Sequence, residues 1–407
     1  MAVEMTSTHL IRDLNRRVVL DQIRKRQPIS RADLARITGM QRCTISQIVG
    51  QLMDERWVLE GATGRLPLGR RPTLLRLNDQ SVIVGVDVRN SRVVAGVADL
   101  TGRFLAQETI TLSPDPRAAI DQIVHQIQEV ASIRQGTDVL GVGISLPGRW
   151  NRVGTGFSRS PKRDWPTAAD IRTPVMQATG LEVVELENAA NASLLGAVFF
   201  DGVDVCSTAV AVCVAEEIDV GILANGQLLR GLDGMAGEFG HVSLDPKGPP
   251  CECGGFGCWA MLASNLAALR SYFGSGALPN GLNFVDLLNL ADRGDSRAAE
   301  AVGTMAHYLG RGIRMIVASL APERILMIGD LAGSWPRFGP VIQREIADQL
   351  PAKARVPELI PIRDTRMALR GAVALVIQKE FDRCRQVGSA ERTPSPVRAS
   401  RDAPGEG

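Results

Sequence analysis

Between His241 and Cys258, eighteen residues, the chain gathers His241, Cys251, Cys253 and Cys258. Thiolates and a neutral imidazole are the ligands of closed tetrahedral Zn²⁺ sites. Gly254, Gly255 and Gly257 let the backbone fold tightly round an ion. Residues 237–258 are therefore expected to form a zinc-binding loop. Disulfides or unpaired buried thiols are the competing account. No signal-peptide pattern opens the sequence, which predicts a cytoplasmic protein whose thiols stay reduced. A site with four protein ligands is closed, so the metal would shape a surface and need perform no chemistry.

A chain of 407 residues has room for two or three domains. Its hydrophobic share of 45% and charged share of 22% are ordinary for a globular chain. No apolar run reaches the length of a membrane span, so no membrane insertion is expected. The net charge of +2 hides an asymmetry. Residues 1–77 hold 14 Lys+Arg against 7 Asp+Glu, and the other 330 hold 32 against 37. A basic head on an acidic body points to a head that meets a polyanion, with a merely solvated basic surface as the alternative.

In the head, Leu10, Leu14, Val18 and Ile23 recur near helical spacing, which predicts a helix over 9–26 that Pro28 stops. Ser30 is an N-cap for a short helix through Thr38 burying Leu34 and Ile37, and Gly39 supplies a turn. A third helix is predicted from Gln41 to Glu55 on the apolar face Ile45, Ile48, Val49, Leu52 and Met53. Helix, glycine-containing turn, helix is the helix-turn-helix pattern, whose second helix enters the DNA major groove. Gln41, Arg42, Thr44, Ser46 and Gln47 are the candidates for base or phosphate contact. Residues 58–60 and 73–77 read as the two strands of a wing, with Arg65, Arg70 and Arg71 at a slim tip suited to a minor groove. A three-helix packing module without DNA contact is the bland alternative.

From Val82 the pattern changes to three strands, a helix over 116–133 and a strand over 139–144. A similar order returns from Thr208, which predicts two related α/β lobes facing a cleft. Helices over 298–320 and 368–381 flank a strand over 324–328. The expected division is a winged helix-turn-helix over 1–77, a two-lobed body over 80–383, and a disordered tail over 384–407. Cys43, Cys206 and Cys213 read as buried packing thiols.

Certain motifs are more specific. They are Gly237-Glu238-Phe239-Gly240-His241, Cys251-x-Cys253-Gly254-x-x-Gly257-Cys258, Ser160-Pro161, the run Leu186-Glu187-Asn188-Ala189-Ala190-Asn191, and residues 320–329. On these the chain resembles the ROK family of bacterial repressors, uncharacterised reading frames and sugar kinases. The resemblance implies an actin-like ATPase fold with a hexokinase-type sugar cleft. A head fused ahead of the body is the repressor arrangement.

The resemblance also shows what has been lost. The family's kinases carry an aspartate base at the position of Ala189. Their first phosphate loop, Asp-x-Gly-Gly-Thr, corresponds to Asp87-Val88-Arg89-Asn90-Ser91, and their Gly-Thr-Gly loop to Ala215-Glu216-Glu217. Carboxylates in place of glycines repel and crowd a triphosphate, so no catalytic residue and no kinase activity are expected. Of the sugar-holding positions, Asn188, Glu238 and His241 are present, while Ala189, Ala260 and Lys162 depart. Lys162 and the lost carboxylates would suit an acidic or phosphorylated sugar. His241 is expected to ligate metal through one ring nitrogen and face the cleft with the other.

The expectation is a transcriptional regulator, a repressor of carbohydrate-linked genes, acting as a homodimer or homotetramer on double-stranded operator DNA. Its effector would be a sugar or sugar derivative. The rivals are a sugar kinase with an appended head and a regulator controlled by a protein partner.

Overall fold

The computed structural model describes residues 15–63, 72–89, 91–133, 136–151, 156–158, 168–201, 203, 208–274, 281–348, 350 and 355–387. Two compact units result: one built on the residues up to Asn78 together with those from Ile377 on, the other on Asp79–Val376.

The first unit opens with helix α1 over residues 15–26, which ends before Pro28, a residue with no N–H to continue it. Val19, Leu20 and Ile23 are buried. Of the predicted stripe, Ile23 is buried as expected and Val18 only half-buried, its place in the core taken by Val19 and Leu20; Leu10 and Leu14 lie outside the described residues. Arg16 is buried as well and pairs with Glu55.

After β1 (Ile29–Ser30), α2 (Arg31–Thr38) is capped by Ser30, whose hydroxyl accepts the Asp33 N–H at 3.1 Å. Gly39 ends it in the left-handed conformation at φ 72°. Leu34 is buried, but Ile37, in the last turn, is 39% exposed and does not join the core as predicted. Helix α3 (Arg42–Asp54) buries Ile45, Ile48, Val49 and Leu52, while Met53 is half-buried. Strands β2 (Val58–Thr63) and β3 (Thr73–Leu77) complete an antiparallel sheet of order β1-β3-β2. Gln27 ties α1 to this sheet by accepting the Leu77 N–H at 2.7 Å.

The second unit holds two sheets of the same design. The first contains β4 (Ser81–Val88), β5 (Arg92–Asp99), β6 (Phe104–Thr111), β7 (Asp138–Leu146) and, beyond the short hairpin β8–β9 (Arg149–Asn151, Gly156–Ser158), β10 (Val184–Asn188), in the order β10-β7-β4-β5-β6. The second contains β11 (Thr208–Val214), β12 (Ile218–Ala224), β13 (Gln227–Leu228), β14 (Arg324–Gly329) and β15 (Glu358–Ile362), in the order β13-β12-β11-β14-β15. Each is a three-stranded antiparallel meander extended by two parallel strands. Parallel neighbours need crossovers, which helices α4 (Pro116–Ser132), α5 (Ala168–Thr179) and others supply.

Ile123, Ile127, Ile171 and Val175 from α4 and α5 cover the first sheet. Helices α7 (Trp259–Ala263), α8 (Asn265–Phe273), α9 (Phe284–Asp292), α10 (Ser296–Leu320) and α11 (Trp335–Ala347) cover the second. Trp259 is fully buried and its indole donates to the Tyr308 carbonyl at 2.9 Å.

Two helices join the lobes, α6 (Ala189–Phe200) and α12 (Met367–Val387). They cross at glycines: a Cβ on Gly371 would run into the Ala192 carbonyl, and one on Gly196 would lie 2.8 Å from the Met367 carbonyl. Only glycine permits two backbones to come this close. Helix α12 runs to Val387, so the first residues of the predicted tail, 384–387, are helical. The remainder, 388–407, lies outside the described residues.

Candidate functional site

The segment after β13 enters a short 3₁₀ turn, Glu238–His241, and returns through a glycine-rich loop to α7. At Gly257, φ is +58° and a Cβ would collide with the Asp245 carbonyl, so the loop's closure requires glycine there. The Leu244 N–H donates to the Gly257 carbonyl and the Cys251 N–H to the Gly255 carbonyl, each at 2.8 Å. This framework brings together the four side chains that the sequence singled out.

The ligand atoms of His241, Cys251, Cys253 and Cys258 all lie within 4.8 Å of one another. Cys253 Sγ is 3.6 Å from Cys258 Sγ, and Cys251 Sγ is 3.5 Å from His241 Nδ1. A disulfide needs about 2.05 Å between sulfurs. Metal–sulfur bonds of about 2.3 Å in a tetrahedron place the ligand atoms about 3.7 Å apart. The cluster fits a tetrahedral cation, and it is not a set of disulfides. His241 turns Nδ1 to the thiols and Nε2 towards Glu238, whose Oε2 is 3.8 Å away. One ring thus faces the metal position and a cleft residue.

The cleft lies between the lobes and encloses about 580 Å³. Its walls include Asp87, Arg89 and Arg92 from the first lobe, and the turn 215–217, Asp219, Glu238 and His241 from the second. At its narrow end Asn188, Ala189, Asp219 and Glu238 meet Pro147 and Gly148. Asn188 also caps α6, its Oδ1 accepting the Asn191 N–H at 2.8 Å. Glu187 is wholly buried one residue before it, held by Arg230 Nε at 2.8 Å and Asn191 Nδ2 at 3.1 Å. The backbone entering α6 is fixed by this pair.

Two features of the cleft carry no sequence signal of their own. Arg89 turns back on Asp87, its Nε 2.7 Å from Oδ2, and donates from Nη2 to the Thr365 carbonyl at 3.0 Å. Burial raises the Asp87 carboxyl, and Arg89 and Ser145 pull it back down. The other feature is Asp219. It is open to the cleft, yet withdrawal from bulk water there and the nearby Glu217 and Glu238 push its carboxyl up to about 7. Sequence reasoning passed over it because a lone aspartate inside an apolar strand belongs to no motif.

Asp87, Glu216, Glu217, Asp219, Glu238, Asp330 and Asp364 line the cleft against Arg89, Arg92 and Arg363. That balance runs against the expected fit to an acidic sugar, and Lys162 lies outside the described residues. Cys213 is half-buried on the cleft wall and is not a core thiol, and burial pushes its thiol up to about 12. Cys206 lies outside the described residues.

In the head, Arg42, Ser46 and Gln47 are exposed on the face of α3 away from its core stripe; Gln41, just before the helix, is exposed and Thr44 half-buried. Cys43 is exposed too, a correction to its reading as a packing thiol. It shares the outward face with Gln47, four residues on. Arg65, Arg70 and Arg71 lie outside the described residues. No described helix is long and apolar enough to cross a membrane.

Residues 83–379 match the sequence profile of the ROK family. The xylose repressor of Bacillus subtilis is 28% identical over 354 residues, covering 86% of this chain and 90% of that protein. Among solved structures, a ROK family transcriptional regulator described as a homologue of the Escherichia coli MLC protein superposes with a TM-score of 0.78 at 24% identity, over 94% of this chain and 100% of that one. A ROK family glucokinase from Streptomyces griseus, in complex with glucose and AMPPNP, superposes with a TM-score of 0.64 at 24% identity, over 73% of this chain and 99% of that one.

Proposed function

The chain belongs to the ROK family, and on that footing we propose that it is a sugar-responsive DNA-binding repressor whose kinase-type cleft no longer transfers phosphate. One observation carries the reading. The likeness to the xylose repressor runs over 354 residues, more than Asp79–Val376 contains, so it reaches beyond the kinase-like body. The glucokinase superposes on 73% of the chain.

The first unit acts as a winged helix-turn-helix. Helix α3 enters the major groove with Arg42, Ser46 and Gln47 outward and Gln41 and Thr44 beside them, and the sequence between β2 and β3 adds Arg65, Arg70 and Arg71 as further DNA contacts. A homodimer or homotetramer would present these helices as symmetric pairs to half-sites about 34 Å apart. The cleft receives a sugar or sugar derivative where Glu238 and His241 line it, beside the narrow recess that Asn188 shares with Glu238. Such an effector works only through unequal affinity for two repressor states.

Phosphate transfer is disfavoured by this chain's own residues. Ala189 offers no proton acceptor, and the turn 215–217 brings two carboxylates to the cleft. Arg89 spans the phosphate corner between Asp87 and Thr365. Zn²⁺ is the cation we assign to His241, Cys251, Cys253 and Cys258, where it would supply a structural cross-link that fixes His241 and, through it, Glu238.

The test is a DNA-shift titration on the promoter of the protein's own operon, with sugars added, beside an ATP-turnover assay. Retardation that a sugar relieves, without turnover, is expected. Hexose-dependent ATP consumption at enzyme-like rates, or no affinity for any duplex at low salt, would overturn the reading.

A further inference from the structure

The polar groups of the cleft differ in what they have left to offer. Asp87 is taken by Arg89 and Ser145, Asp364 by Arg366 and Arg370, and the Oδ1 of Asn188 by the α6 cap. Glu238 faces His241. Asp219 is different: its carboxylate makes no hydrogen bond or ion pair with any described residue, and it lines both the main cleft and its narrow end. Its position on β12 is fixed, because it pairs in register with Cys213 on β11, and Gly221, two residues on, packs against the Ala190 carbonyl of α6. The neighbouring wall at Ala189 contributes only a methyl group.

We propose that Asp219 is the specificity-determining acceptor of the cleft, taking two adjacent hydroxyls of an uncharged sugar on its two carboxylate oxygens. The inference rests on the reading of the cleft as a sugar pocket and goes beyond it by naming the group and the ligand chemistry. A carboxylate is acceptor-only and can receive two O–H donors at once, which neutral vicinal diols supply. An acidic or phosphorylated sugar would bring its charge against Asp219, Glu217 and Glu238 together. Donor hydroxyls relieve that crowding of like charge; further anions deepen it.

The experiment is calorimetric titration of the full-length protein at pH 8, above the raised Asp219 value so that the carboxylate is ionised, with D-xylose, D-glucose, D-glucuronate and glucose 6-phosphate, repeated with Asp219→Asn and Asp219→Ala. Circular dichroism and zinc content, unchanged in both variants, serve as folding controls. The wild type is expected to bind a neutral sugar in preference to both anions. Asp219→Ala should weaken that binding about 10- to 100-fold, the scale of hydrogen bonds to a charged acceptor, and Asp219→Asn by less because it retains one acceptor oxygen. Affinity of Asp219→Ala within twofold of wild type, or wild-type preference for an anionic sugar, overturns the assignment of Asp219 alone. Wild-type protein that binds none of the sugars removes the sugar-pocket reading and the inference with it.

Discussion

The two lobes of the body share one strand order but treat charge at the cleft in opposite ways. In the first, the end of β4 carries a carboxylate and the turn after it supplies the answer: buried Asp87 is matched by Arg89 two residues later. In the second, the turn after β11 and the start of β12 carry Glu216, Glu217 and Asp219, and Glu238 is added from the 3₁₀ turn. An equal scaffold thus holds a neutralised corner opposite an acidic one. Topology fixes where a hairpin reaches the cleft; the residues on it decide what the cleft accepts.

The largest effect that would sharpen this contrast comes from the His/Cys cluster, which belongs to the second lobe. Cys258→Ser should abolish retention of zinc, measured by emission spectroscopy, and lower the melting temperature more than a substitution at Arg89 or Gly371 does. Structural zinc contributes on the order of 10 kcal/mol to the folding of small metal domains, and a body with its own large core should lose a fraction of that. Unchanged melting on quantitative zinc loss would mean that the loop is an ornament on the lobe.

Arg89→Ala tests the first corner. Removing one partner of a buried ion pair costs about 3–5 kcal/mol, and the partial exposure of Arg89 should reduce this to roughly 2 kcal/mol. The Asp87→Asn, Arg89→Ala double variant should recover part of the loss in urea denaturation. A double variant as unstable as the sum of its singles would show that the two residues act independently.

Gly371→Ala probes the crossing that holds the lobes together. A methyl group forced between α12 and the Ala192 carbonyl should cost about 1–3 kcal/mol, as overpacking does. A neutral outcome in the same denaturation assay would mean that the helices can part without penalty.

The smallest effect concerns the acidic corner, and its sign depends on pH. Asp219 has its carboxyl raised from 3.8 to about 7, so the folded protein binds its proton more tightly than the unfolded chain. That stabilisation is complete below the unfolded value and is lost as pH rises through about 4 to 7. Asp219→Asn should therefore raise the melting temperature relative to wild type more at pH 8 than at pH 5. Equal shifts at the two pH values would show that the three carboxylates do not crowd one another.

Local patterns explain which elements were legible in advance. Ser30 and Gly39 bracket α2 because capping and left-handed backbone are chemistry of single residues. The stripe on α3 was legible because one face is wet and the other dry. Helix α6 had no such signal: Ala190, Leu194, Leu195 and Phe199 point different ways and are all buried, so the helical period vanishes. Ile37 and Cys43 were misplaced for a related reason, since spacing says which residues share a face but not where a small core ends.

The sequence by itself determined the grouping of His241, Cys251, Cys253 and Cys258, the repeated strand pattern and the absence of a proton acceptor at Ala189, because each depends on residue identity within a short span. Only the tertiary structure decided that Arg89 answers Asp87 and reaches Thr365, that Asn188 spends its oxygen on a helix cap, and that Asp219 is left open to the cleft. Those outcomes turn on distances between segments remote in the chain, which parallel strand crossovers set and no local pattern records.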